Sequence, residues 1–305
     1  MSAIISIASG KGGVGKTLVT STLAISLQRH GYSVLAVDAD MGLRNLDLMF
    51  GVQDEILYDA VDIIKQRCLP NNAILAVSPG LDFLAASQKH TWEKIDASSY
   101  QYVLEDLAEH YDYVLLDCPP GRGQAYKKAV AIADYIFFVV EPTWTSMRDT
   151  SRVMQFCDKH KKFNYAILLN NFYQPSDAFV SVRTMLDMLD PEHLAGILPH
   201  SDVIQRAAQQ GTLVAVPESN PFFKSLERTL VYIKKGTELP ISDLEALLPN
   251  APDIALPQEE TAISEDEIAV EEGSALTKQN IEKKSAGLSL RQRRQESWSW
   301  RRYRR

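Results

Sequence analysis

Gly10-Lys11-Gly12-Gly13-Val14-Gly15-Lys16-Thr17 fits the pattern G-x-x-x-x-G-K-[ST] and carries a second lysine, Lys11, near its start. Ile4 to Ala8 ahead of it reads as an apolar strand, and Leu18 to His30 behind it reads as a helix ending at Gly31, so the octet has the strand-loop-helix setting that a phosphate-binding loop requires. The glycines allow a tight turn whose N–H groups face inward, toward the positive end of the following helix. Such a loop favours anionic phosphate oxygens. Lys16 is placed to reach β- and γ-phosphates, and the Thr17 hydroxyl to take a position on Mg²⁺.

Outward from the loop, short apolar runs alternate with helical stretches. Val34 to Val37, Leu81 to Ala85, Tyr113 to Leu116, Tyr135 to Val140, Tyr165 to Leu169 and Ala195 to Leu198 read as buried parallel strands, and Ser98 to His110 and Ser146 to His160 as helices between them. Right-handed crossovers then give an α/β fold, a mainly parallel sheet with helices on both faces, with ligands at the carboxyl ends of its strands. Polar residues follow those strands: Asp38 and Asp40, Asp117, and Asn170-Asn171. Converging on the loop, they would supply carboxylates for Mg²⁺ and water, and amides for the edge of a base.

Composition narrows the class. The 305 residues are 45% hydrophobic and 23% charged, with a net charge of −7. They contain no apolar run long enough to span a bilayer and no visible secretory signal, which predicts a cytoplasmic protein. Cys68, Cys118 and Cys157 are odd in number and far apart, and the six histidines are scattered. That argues against a disulfide framework, a zinc site or an iron–sulfur cluster, leaving Mg²⁺ as the expected metal.

Three segments together, Lys11 to Thr17, Asp38-Ala39-Asp40-Met41-Gly42-Leu43-Arg44-Asn45-Leu46-Asp47 and Asp117-Cys118-Pro119-Pro120-Gly121, resemble the deviant-Walker ATPases of the MinD/ParA group. The Gly42 to Asp47 segment leans to the MinD branch. Ser146-Met147-Arg148-Asp149 and Gly196-Ile197-Leu198-Pro199 extend the resemblance, which covers roughly residues 1 to 235. It implies ATP and Mg²⁺ as ligands and an ATP-dependent homodimer in which Lys11 crosses to the partner's phosphates. By the same resemblance Lys11, Lys16 and Asp40 carry catalysis, Asp40 orienting the attacking water. Gly10, Gly12, Gly13, Val14, Gly15, Lys16, Thr17 and Leu18 would hold the nucleotide, with Asn170 near adenine. Thr17, Asp38 and Asp117 would hold Mg²⁺, in part through water. Arg148 and Asp149 are candidates for a partner-binding surface.

Beyond residue 240 the character changes. Residues 1–240 read as the ATPase domain, 241–286 as an acidic linker and 287–305 as a basic aromatic tail. From Leu288 onward the tail has seven arginines against one glutamate, a net +6, so the remainder carries −13 of the overall −7. Trp298, Trp300, Arg301 and Arg302 suit an anionic membrane interface, where aromatic rings settle among headgroups. The resemblance also points to a membrane-targeting tail, to peripheral residence at the inner face of the cell membrane, and to a septation inhibitor and an ATPase-activating protein as partners. A chromosome-partitioning ATPase binding DNA through the tail is the alternative, and a flagellar-placement ATPase a third.

Overall fold

The computed structural model describes residues 2–252 except 122, 161–163 and 176–178. The tail residues Trp298, Trp300, Arg301 and Arg302, and the linker from 253 onward, lie outside the described residues.

Eight strands form one sheet: β1 (Ala3–Ala8), β2 (Val34–Asp38), β3 (Ile74–Ser78), β4 (Leu81–Leu84), β5 (Tyr113–Asp117), β6 (Tyr135–Val140), β7 (Tyr165–Phe172) and β8 (Leu194–Pro199). Their order is β3-β4-β2-β5-β1-β6-β7-β8. The chain builds β2 to β5 on one side of β1, β5 returning to fill the place between β1 and β2, and then β6 to β8 on the other, so the loop after β1 sits where the winding reverses and a crevice opens. All expected strands are present and parallel. β3 was not expected; it pairs antiparallel with β4 across an irregular register at the sheet edge.

Alternation along each strand feeds two cores. Ile4 and Ala8 of β1 join one with Tyr100, Leu104, Tyr126, Val153 and Met185, which come from helices on one face. Ile5 and Ile7 join the other with Val19, Leu23, Ile204, Phe222 and Leu226 from helices on the opposite face. A central strand buried on both sides therefore tolerates few polar residues. Those it has, at its carboxyl end, need a reason to be there.

The expected boundary at residue 240 moves. Ile241–Glu245 forms a short helix, Leu244 and Leu248 are buried in the first core, and Gln174 Nε2 donates to the carbonyls of Glu245 and Leu248 at 3.1 and 3.2 Å. Two leucines four residues apart give this stretch an apolar face despite the flanking prolines, so the packed body continues through Leu248.

Candidate functional site

The phosphate loop lies between β1 and the helix Lys16–Arg29, with Gly15 in the left-handed conformation at the helix start. Gly13 and Gly15 have φ of +82° and +88°, which a side chain would strain. Space is also withheld. A Cβ on Gly10 would overlap the Asp149 carbonyl, and one on Gly15 would stand 2.5 Å from Asn170 Nδ2. Val14 is buried, and its carbonyl accepts from Asn170 Nδ2 at 3.0 Å. Asn170, expected just after a strand, lies inside β7 and braces the loop from the side.

Below the loop sits a buried set of charges. Asp38 and Asp117 are register partners on adjacent strands β2 and β5, and are 0% and 3% exposed. Asp38 accepts from the backbone N–H of Asp40, Asn45 and Leu46 at 2.8, 2.8 and 3.0 Å. Burial nevertheless dominates and raises its pKa. Asp117 is raised for the same reason and by repulsion from Asp38, although hydrogen bonding from Thr17 and the charge of Lys16 pull the other way. Thr20, one turn further along the helix, donates to Asp117 Oδ1 at 3.3 Å. Lys16 is itself buried, which lowers its pKa against the opposing pull of Asp117 and Asp40. Asp40 stands nearer the surface, and burial raises its pKa while Lys16 lowers it. Next to the pair, burial pushes the Cys118 thiol up to about 12.

These carboxylates and hydroxyls are hard oxygen donors, suited to Mg²⁺. Among the described residues no group of three or more Asp, Glu, His or Cys side chains could enclose a metal alone, so phosphate oxygens and water would have to complete the shell. Magnesium accepts that arrangement readily. Lys11 stands apart from the buried charges. Its Nζ donates to Thr145 Oγ1 at 3.3 Å at the surface, on the first turn of the helix Trp144–Lys159.

A cleft of about 610 Å³ opens beside the loop, lined by Gly13, Gly15, Leu18, Asn170, Asn171 and Arg206 among others. It has room for the nucleoside of a nucleotide whose phosphates lie on the loop. A second cleft of about 580 Å³ lies elsewhere, lined by Ser33, Asp112 and Asp134 at the amino ends of the strands. It holds none of the loop residues. The fold thus brings Lys16, Thr17, Asp38, Asp40, Asp117 and Asn170 together, with Leu18 at the cleft and Lys11 at the surface against Thr145.

A family model described as an AAA domain matches residues 2–169. The septum site-determining protein MinD of Synechocystis sp. is 32% identical over 255 residues, covering 81% of this chain and 94% of that protein. The chain belongs to the MinD/ParA family. It is similar in structure to the MinC:MinD cell division protein complex of Aquifex aeolicus (TM-score 0.71, 30% identity, 78% of this chain and 98% of that one). It is also similar to MinD complexed with Mg-ADP from Pyrococcus horikoshii (TM-score 0.67, 28% identity, 77% and 97%). These relatives support the MinD-type, cell-division side of the family, the branch to which Gly42 to Asp47 leans.

Several residues of the site escaped the sequence reading. Thr20 carried a weak signal, three positions after Thr17 and so on the same helix face. Trp92 and Lys128, which hold the loop after β2, carried none.

Proposed function

We propose that the chain is a Mg-ATP-hydrolysing positional switch for cell division, closed into a dimer by ATP. The observation that carries this reading is the division of labour between the two loop lysines: Lys16 is buried beside Asp117, and Lys11 lies at the surface, its ammonium donating to the Thr145 hydroxyl with the Glu141 carboxylate near enough to feel its charge. Lys16 serves the β- and γ-phosphates bound in its own subunit, and Lys11 is free to serve those of a second copy. The loop N–H groups of Gly12, Gly13 and Gly15 hold phosphate oxygens, and Leu18 and Asn170 bound the nucleoside.

Thr17, with Asp38 and Asp117 acting through water, would hold Mg²⁺. When bound, the ion neutralises charge on the phosphate oxygens. Asp40 orients the attacking water toward the γ-phosphorus. A cation arriving from the partner stabilises charge on the equatorial oxygens as an arginine finger does, so hydrolysis follows dimerisation.

Paired tails would turn that dimer into a membrane-bound species. Each basic residue near an acidic leaflet contributes about 1 kcal/mol, so one tail binds reversibly, while two linked tails gain on the order of 10²-fold in avidity. The MinC:MinD complex among the structural neighbours supports a septation inhibitor as the cargo, and an ATPase-activating protein would release it. The dimer then resides peripherally at the inner face of the membrane.

Two measurements test the reading. Lys11→Ala should bind ATP as a monomer and fail to dimerise, by light scattering on a sizing column; a dimer formed with ATP would contradict it. Removing 287–305 should abolish ATP-dependent binding to anionic vesicles. Unchanged vesicle binding, or tight duplex-DNA binding in its place, would move the chain toward partitioning.

A further inference from the structure

The loop carrying Asp40 is held from outside the phosphate site. Ala39, between the two acids, donates its N–H to the Asp117 carbonyl at 3.0 Å and accepts at its own carbonyl from Trp92 Nε1 at 2.8 Å. Trp92 is 2% exposed and packs edge-on to Tyr100, ring centroids 4.9 Å apart. The segment before it adds two contacts: the Gly42 N–H donates to the Ser87 carbonyl at 2.7 Å, and the Ser87 N–H points at Met41 Sδ at 3.4 Å.

Trp92 is in turn held by the other side of the site. Lys128 Nζ donates to the carbonyls of Trp92 and Ile95 at 2.7 and 3.0 Å, with its ammonium 5.8 Å from the indole centroid. Lys128 lies on the helix Gln124–Ile132, which follows the turn Pro119–Gly121. That turn lies near the phosphate loop: a Cβ added to Gly12 would come to 3.8 Å from Pro120 Cβ. Contacts therefore run from the helix through Lys128 to Trp92, and on to the peptide bearing Asp40.

We propose that Trp92 and Lys128 are positioning residues for hydrolysis, a brace that sets Asp40 according to the placement of the helix Gln124–Ile132. Neither touches the reacting atoms. Both carbonyls that receive Lys128 belong to the Trp92 segment, so the two side chains act in series: once one link is broken, breaking the other adds little. The proposal rests on the ATPase reading above.

The test uses the full-length chain and Mg-ATP, with Trp92→Phe, which keeps an aromatic ring against Tyr100, Lys128→Met, the double variant, and Lys128→Arg. Losing one buried hydrogen bond at the brace should lower kcat about 3–10-fold while KM changes less than about twofold. The double variant should fall no further than the worse single, and Lys128→Arg should recover most of the rate. In parallel, amide exchange over residues 38–46 should quicken in Lys128→Met. Unchanged kcat in both singles, losses that multiply in the double, or exchange left as in the unmodified chain would overturn the brace. Should the unmodified chain fail to hydrolyse ATP, the ATPase reading falls, and the exchange measurement still decides whether the brace exists.

Discussion

Strand β5 carries an aspartate at each end, and the two behave in opposite ways. Asp112, just before its start, lies in solvent and accepts at Oδ2 from the Ser33 N–H and hydroxyl at 2.8 and 2.9 Å, bonds that hold its pKa below the ordinary carboxylate range. Asp117, at its other end, is buried beside Asp38 and raised. Asp134, before β6, resembles Asp112 in accepting from the Ile4 N–H at 2.9 Å. At the amino edge of the sheet, carboxylates tie strands together. At the carboxyl edge they are held at a cost that folding alone does not explain, and a cationic ligand would relieve it. The two clefts are nearly equal in volume, so charge environment separates them where size does not.

That contrast can be broken most decisively at Lys16. Lys16→Ala removes the buried cation opposite the acid pair, and should weaken ATP binding about 10–100-fold by fluorescent-nucleotide titration, the scale of a lost charged hydrogen bond. Unchanged affinity would mean that the buried charges serve the fold. Next in size, Gly10→Val drives a side chain into the Asp149 carbonyl, and should cost about 1–3 kcal/mol in a denaturant melt, the scale of overpacking. A valine accepted without loss would show that the loop and the helix Trp144–Lys159 do not meet as described.

The smallest effects sharpen the comparison through pH, in nucleotide-free protein. A raised carboxylate pKa means that the folded state holds its proton more tightly than the unfolded chain, so Asp117 destabilises at high pH and does so less as pH falls through its folded value. Asp117→Asn should therefore melt above the unmodified protein at pH 8, by a few degrees, with the gap closing toward pH 5. Asp112 has the opposite sign: its contribution is present above the ordinary carboxylate pKa of about 4 and is lost as pH falls through the lowered folded value. Asp112→Asn should melt slightly below the unmodified protein at pH 7, with the gap narrowing as pH falls below the ordinary carboxylate value. Shifts of the same sign at both positions would erase the distinction between the two edges.

The carboxyl edge was legible in the sequence because its chemistry dictates residue types at fixed spacing. A loop that must approach phosphate needs Gly10, Gly13 and Gly15, and strands buried on both faces make Asp38 and Asp117 conspicuous. The brace was not legible. It joins an indole to a carbonyl 53 residues away and a lysine to carbonyls 36 and 33 residues away, and carbonyl acceptors leave no trace in residue identity. β3 escaped because it is a partly exposed antiparallel edge strand, lacking the continuous burial that marks its neighbours. The fold past residue 240 was hidden by prolines, which signal breaks yet here frame a single helical turn with Leu244 packed beneath.

Cys118 offers an internal clock. Fully enclosed beside Asp117, with burial pushing its thiol up to about 12, it stays un-ionised at neutral pH and out of reach of alkylating reagents. Modification at this sulfur must wait for the central strands to part, so its rate times how often the molecule opens. Comparing that rate with and without Mg-ATP would read directly how firmly the nucleotide keeps the sheet shut.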